Sequence, residues 1–118
     1  MNKNMAKARE YLEIASAARP EDPHIIDSAA WAAYLAGDFK SAVEKLERAI
    51  QMMPDDVTVN DHLGDAYWRV DRKREAVYQW QRALVMKPEA AEIPKIEAKI
   101  RNGLPELTPE EKAAAEKA

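Results

Sequence analysis

Residues 62–68 read HLGDAYW and place Gly64 inside a stretch that otherwise has the pattern of a helix. A glycine inside a helix costs about 1 kcal/mol relative to alanine, because it loses more backbone freedom on folding. The neighbouring Leu63 and Tyr67 have side chains suited to packing. We therefore expect a packing feature of the folded chain to offset the conformational cost of Gly64.

The same stretch belongs to a repeat of 34 residues. Within each unit, apolar residues recur at the spacing of one helix face, and a proline ends the unit because it cannot continue a helix. Four sets of residues recur three times at this interval: Ala8, Ala42 and Ala76; Leu12, Leu46 and Trp80; Ala15, Ala49 and Ala83; Pro20, Pro54 and Pro88. Repetition at this length predicts a solenoid, in which each helical unit contacts its neighbours along the chain.

Helix boundaries follow from local signals. Asp22, followed by a proline, is a typical N-cap, and Gly37 with Asp38 separates one helix from the next. Thr108 and Glu111 have the spacing of a capping box. The sequence predicts an all-α fold with helices over residues 4–18, 23–36, 39–52, 57–70, 73–86, 92–102 and 109–117.

These units resemble the tetratricopeptide repeat (TPR), a helical hairpin of 34 residues. The second unit resembles the family pattern at Leu63, Gly64, Tyr67, Ala76, Trp80, Ala83 and Pro88, and the first at Gly37, Ala42, Leu46, Ala49 and Pro54. In such a hairpin the glycine lets the two helices approach closely. Because the first unit has Ala30 at the matching position, we expect alanine to be tolerated at position 64.

The resemblance implies a right-handed solenoid of antiparallel helical hairpins. Its parts would be a half repeat at 4–22, full repeats at 23–56 and 57–90, and a capping helix at 91–103, which together form one TPR domain over residues 1–103. Isoleucines on one face of the last of these helices and charged residues on the other suit a cap. We expect residues 104–118 to form a polar, mobile tail.

The first predicted helix lacks the partner with which it would form a hairpin. Tyr11, Leu12 and Ile14 would then leave apolar surface open, which a monomer rarely tolerates. Two interpretations remain: the chain is the C-terminal piece of a longer array, or it is a short protein that covers this helix by forming a homo-oligomer.

Two segments carry a narrower resemblance. DHLGDAYWR and QWQRAL are similar to the C-terminal repeats of large bacterial TPR proteins, some of which are envelope lipoproteins. The resemblance implies a bacterial protein of the cytoplasm, periplasm or envelope, and the absence of cysteine does not decide among these compartments.

The family resemblance also implies a ligand-binding surface, because the first helix of each TPR hairpin lines a concave face. The ligand-facing positions correspond to His24, Asp27, Trp31, Tyr34 and Leu35 in the first unit and to Thr58, Asp61, Asp65, Trp68 and Arg69 in the second. We expect the aromatic residues to anchor a protein or peptide segment of basic or apolar character, and the acids to disfavour an anionic chain end. In the competing interpretation the tryptophans only pack and the acids only solvate the helices.

Other functions have little support in the sequence. The net charge of −3 argues against nucleic-acid binding, and the basic cluster at residues 69–74 is interpreted as a solvated turn. Asp61 and Asp65 would make a weak metal site, because His62 points elsewhere on the helix. No apolar run is long enough to insert into a membrane.

Catalysis is not predicted either, since the chain has no phosphate-binding loop, no cysteine and no recognisable triad, and it implies no cofactor. The chain is therefore interpreted as a non-enzymatic interaction module, a scaffold or adaptor. A structural or oligomerisation module that self-associates through its N-terminal helix is the alternative.

Overall fold

The computed structural model describes residues 22–117 of the 118-residue chain. All regular structure in this part is helical: α1 (Pro23–Leu35), α2 (Phe39–Met52), α3 (Val57–Arg69), α4 (Lys73–Val85), α5 (Ile93–Asn102) and α6 (Pro109–Lys117). The all-α prediction is confirmed for the described residues, and no end of these helices differs from its prediction by more than one residue. None of the helices is both long enough and apolar enough to cross a membrane.

The predicted helix at 4–18 lies outside the described residues, and so does the predicted self-association surface of Tyr11, Leu12 and Ile14. The described residues contain both predicted full repeats, at 23–56 and 57–90, the predicted cap at 91–103 and the residues that follow it up to 117.

Aspartate side chains begin the first three helices. The Asp22 carboxylate accepts hydrogen bonds from the main-chain N–H groups of His24 and Ile25, at 3.0 and 3.4 Å. Asp38 and Asp56 act in the same way at the starts of α2 and α3. Each cap satisfies donors that the first turn of a helix leaves free, so the short connections fix where each helix begins.

Consecutive helices pack against one another in chain order, α1 on α2, α2 on α3, α3 on α4 and α4 on α5, and α1 also contacts α3. Apart from the prolines, the described residues that recur at 34-residue spacing lie in the core between these helices. The six repeated positions of α2 and α4 are all fully buried: Ala42, Leu46, Ala49, Ala76, Trp80 and Ala83. The repeat is thus a repeat of core positions.

The fully buried indole of Trp80 accounts for the glycine that breaks the helical pattern. A Cβ atom added at Gly64 would lie 2.4 Å from Trp80 Nε1 and 2.5 Å from its Cδ1. The ring cannot move aside easily, because Nε1 donates a 3.0 Å hydrogen bond to Asp65 and the side chain has no exposed surface. The conformational cost of Gly64 is therefore offset by the packing of a large aromatic residue.

This contact corrects the expectation that alanine is tolerated at position 64. That expectation came from Ala30 in the first unit, but the residue aligned with Trp80 there is Leu46. Leucine is smaller than an indole and leaves room for one methyl group. The two units therefore use two different pairs, alanine with leucine and glycine with tryptophan.

We predict that Gly64→Ala lowers the free energy of unfolding by about 2 kcal/mol, because the methyl group forces the indole out of its position. Urea denaturation followed by circular dichroism measures the change. In a Trp80→Leu background, which imitates the first unit, the same substitution should cost at least about 1 kcal/mol less. Equal costs of Gly64→Ala in the two backgrounds would show that the indole is not the reason for the glycine.

Candidate functional site

Five side chains from α1 and α3 meet on one surface, which we call the α1–α3 face: Asp27, Trp31, Tyr34, His62 and Arg69. The Trp31 ring is stacked between the rings of Tyr34 and His62, with centroid distances of 4.4 and 4.0 Å. Asp27 Oδ1 lies 3.0 Å from His62 Nδ1, and Arg69 Nε donates to the Tyr34 hydroxyl at 3.3 Å. Polar contacts between the two helices therefore support both outer rings of the stack.

The arrangement follows from the helical spacing of both segments. Asp27, Trp31 and Tyr34 are at positions i, i+4 and i+7 of α1, so they lie on one face. His62 and Arg69 have the corresponding spacing of seven residues on α3. Both contacts between the helices join residues 35 apart, close to the repeat length.

Burial sets the chemistry of the phenol on this face. It raises the pKa of Tyr34 above its ordinary value, although the hydrogen bond from Arg69 opposes the shift. The hydroxyl is thus neutral near pH 7, accepts from Arg69 and keeps its own proton to donate. The face therefore offers stacked ring surface together with hydrogen-bond donors, a combination suited to holding a polypeptide segment.

The acids predicted to contact a ligand lie on a different side of α3. Lys99 of α5 places its Nζ 2.9 Å from Asp61 Oδ1 and 3.0 Å from Asp65 Oδ1. Asp65 also accepts the hydrogen bond from Trp80 Nε1 and is only 6% exposed. The structure thus places a cation from the chain itself where the sequence predicted a basic residue of the ligand.

Burial and charge act against each other in this cluster. Burial raises the pKa of Asp65 above its ordinary value, and the charge of Lys99 opposes that shift. Burial also acts to lower the pKa of Lys99, but the charges of Asp65 and Asp61 outweigh it and the pKa is raised. The lysine therefore stays protonated, and it compensates for the poorly hydrated carboxylate of Asp65.

Trp68, the third predicted aromatic anchor, also packs away from the α1–α3 face. Its ring centroid is 5.7 Å from that of Trp80, and Lys73 Nζ lies 4.9 Å above it. A Cβ atom added at Gly103 would lie 2.2 Å from the Trp68 ring, so the chain after α5 crosses this tryptophan closely. The predicted aromatic groove is thus divided between two surfaces.

The remaining predicted positions lie toward the ends of the first helices of the two units. His24 and Thr58 are exposed in their first turns, and Leu35 is exposed at the end of α1. The basic cluster has acidic neighbours: Arg72 contacts Glu75 and Glu47. Among residues 22–117, no group of three or more histidine or acidic side chains could hold a metal ion.

Sequence reasoning did not place His62 in the binding surface. It did predict that His62 points away from Asp61 and Asp65, and the contact with Asp27 agrees. The signal that finds it is a separation of 35 residues, which relates contacting positions on the first helices of consecutive units. Applied to Asp27 and Tyr34, it identifies His62 and Arg69.

The chain that follows α5 returns to the α1–α3 face. Arg69 Nη1 donates a 2.8 Å hydrogen bond to the main-chain oxygen of Pro105. A cavity of about 60 Å³ separates this part of the chain from α1 and α2, and it is lined by Tyr34, Leu35, Gly37, Phe39, Arg69, Leu107, Glu111 and Ala114. The expectation of a mobile tail did not anticipate these contacts, whereas its predicted helix and capping box are confirmed.

Comparison with models of known protein families and with curated proteins finds no match to this chain. What the chain does must therefore be inferred from its own geometry.

We predict that Lys99→Met lowers the free energy of unfolding by about 2 kcal/mol, because it leaves the Asp65 carboxylate buried without its cation. Asp65→Asn in the same chain should recover part of this loss. Thermal denaturation of the wild type, the Lys99→Met and Asp65→Asn single variants and the double variant gives the coupling between the two residues. Additive effects would contradict a compensating pair.

The loss caused by Lys99→Met should shrink as the pH falls from about 7 to about 5. Burial raises the pKa of Asp65 in the folded chain, and the variant removes the cation that opposes this rise. The folded variant then binds a proton more readily than its unfolded chain, so lower pH favours folding of the variant relative to wild type. Denaturation midpoints of both proteins across this range measure the difference, and a loss independent of pH would refute the assignment.

Proposed function

We propose that this chain is a TPR-like interaction module that binds a peptide segment of another protein on the α1–α3 face and carries out no reaction. The observation that carries the proposal is the hydrogen bond from Arg69 to the main-chain oxygen of Pro105. A side chain of this face already holds a polypeptide backbone, through an atom that every residue possesses. Another peptide could be held in the same way.

The aromatic stack supports the same function. Trp31 and Tyr34 are half-buried members of a stack whose outer rings are held by contacts between α1 and α3. Rigid aromatic surface contributes affinity because little conformational freedom is lost when a ligand packs against it. The side chain of Leu35, 52% exposed at the end of α1, extends this apolar area.

The repeat supports the TPR-like architecture in the proposal. The repeated positions of α2 and α4 are buried, consecutive helices pack in chain order, and a helix follows the last unit with Ile96 in the core. A solenoid of helical hairpins has this order of contacts, because each unit buries its apolar face on the next. We accordingly propose a right-handed TPR solenoid, with α5 as its cap.

The sequence predicts a ligand of basic or apolar character, and the structure leads us to change the charge that we propose for it. Asp27 is bonded to His62, while Asp61 and Asp65 hold Lys99. None of these three carboxylates needs a cation from a ligand. We therefore retain the apolar part of the predicted ligand character and not its basic part.

We predict that peptides selected by display against the full chain bind the α1–α3 face. Trp31→Ala should weaken them by about 2 kcal/mol, because it removes the centre of the stack, and Arg69→Gln should weaken them because it removes the main-chain hydrogen bond. Isothermal titration measures both, with circular dichroism to verify that each variant is folded.

Tyr78→Ala is the matched control, since Tyr78 is 54% exposed on α4 and outside the face. It should leave peptide affinity unchanged. Selected peptides that bind Trp31→Ala and Arg69→Gln at wild-type strength, and lose affinity only with Tyr78→Ala, would place the binding surface elsewhere.

A further inference from the structure

We propose that residues 104–117, here called the C-terminal segment, are an intramolecular ligand of the α1–α3 face, and that a partner displaces them with a segment of like chemistry, leucine and proline followed by carboxylates. This inference rests on the proposed function, and it specifies both the ligand class and its control by the chain itself.

The C-terminal segment meets the preceding helices at one polar contact, from Arg69, and at two apolar side chains that line the cavity. Pro105 accepts the hydrogen bond from Arg69, and Leu107 lines the cavity beside Tyr34 and Phe39. Further along, the segment turns into α6, whose Ala114 lines the same cavity. The contacts extend along the whole segment, as those of a bound peptide do.

Gly37 provides independent support for this placement. A Cβ atom added there would lie 2.6 Å from the main-chain nitrogen of Ala115, so no side chain at position 37 is compatible with α6 in its place. The turn itself also favours glycine at position 37, because its φ is positive. Asp71 occupies the matching position of the next unit with a φ of 65°, against 88° at Gly37.

The two turns also share their hydrogen bonds. The N–H of Gly37 bonds to the oxygen of Tyr34, and that of Asp71 bonds to the oxygen of Trp68, each three residues back. Aspartate satisfies this turn at a φ of 65°, whereas at Gly37 both the φ of 88° and the approach of α6 exclude a side chain.

The C-terminal segment is held weakly enough to be displaced. None of the residues of α6 is buried, and a helix of nine residues is marginal on its own in water. Its first turn depends on the capping box between Thr108 and Glu111. Segments with few buried contacts open at a small fraction of the global stability.

Charge explains why the ligand should be acidic. Arg69 and Glu111 line the same cavity, and the charge of Arg69 adds to the Thr108 hydrogen bonds that lower the pKa of Glu111. Residues 104–118 contain four acidic and two basic side chains. Asp27, the carboxylate of the α1–α3 face, is in contrast already bonded to His62.

Attachment to the chain makes the C-terminal segment an effective competitor. A short tether gives an effective concentration in the millimolar range. A segment whose separate peptide binds with a Kd of about 100 μM would then occupy the face in about nine molecules of ten. The apparent affinity of a competing peptide falls by about tenfold as a result.

The first experiment measures the position of the segment in the full chain. The sequence has no cysteine, so Glu116→Cys introduces a single attachment site for a nitroxide label on exposed α6. We expect broadening of the amide signals of residues 36–40. Leu107→Asp should abolish the broadening, because it puts a charge into the cavity, and the exposed Lys112→Gln should not.

The second experiment measures competition with a fluorescent peptide of residues 103–112, which lacks Ala114 and Ala115. It should bind the Leu107→Asp chain at least about tenfold more tightly than the wild-type chain, because the face is free in the variant. Arg69→Gln added to Leu107→Asp should reduce this binding. A peptide with lysine in place of Glu110 and Glu111 should bind about fivefold more weakly or worse.

The outcomes separate this inference from the proposed function. Absence of broadening in the wild type, or equal peptide affinity for wild type and Leu107→Asp, would overturn the intramolecular ligand while display-selected peptides could still bind the face. Equal binding of the lysine peptide would overturn the acidic ligand class. If display-selected peptides bind outside the face while the label broadens residues 36–40, the proposed function fails and the contact is only structural.

Discussion

The structure depends on a buried carboxylate that joins three helices. Asp65 on α3 accepts the indole N–H of Trp80 on α4 and contacts the ammonium group of Lys99 on α5. Gly64, its neighbour in the sequence, leaves the space that the indole fills. Asp65 is only 6% exposed, and burying a carboxylate without such partners would destabilise the fold. The contacts of Asp65 with Trp80 and Lys99 therefore fix how α3, α4 and α5 pack together.

The contacts of Asp65 with Trp80 and Lys99 determine which side of α3 remains available to a ligand. The side with Asp61 and Asp65 is committed to α5, and the ring of Trp68 is covered where the chain passes at Gly103. On the other side, His62 and Arg69 contact α1, and Arg69 also contacts the returning C-terminal segment. The packing of α5 therefore also divides the predicted groove, and it leaves the aromatic stack as the proposed binding surface.

The fold could be predicted because its signals are local. Helix ends depend on caps and turn residues such as Asp22 and Gly37, and core positions depend on periodicity, so both can be recognised in a single sequence. The contact partners of the acids could not be recognised in this way. Lys99 lies one repeat length after Asp65, so the spacing makes it a candidate partner, but a ligand and a later helix can supply the same cation. The choice between them depends on where α5 packs, which is a property of the tertiary structure.

Dependence on tertiary contacts also explains why the sequence wrongly predicts that alanine is tolerated at position 64. Aligning Ala30 with Gly64 compares two positions in one helix, but the space at each depends on the residue facing it, Leu46 or Trp80. Gly37 and Asp71 also occupy equivalent positions with different surroundings, since α6 lies against Gly37 and the φ there is 88°, against 65° at Asp71. In both comparisons the repeat defines equivalent positions, and the departures from equivalence mark where a particular side chain or segment approaches. The two glycines thus lie at two features in which the units differ, an indole in place of leucine in the core and a segment of the same chain against the turn at position 37.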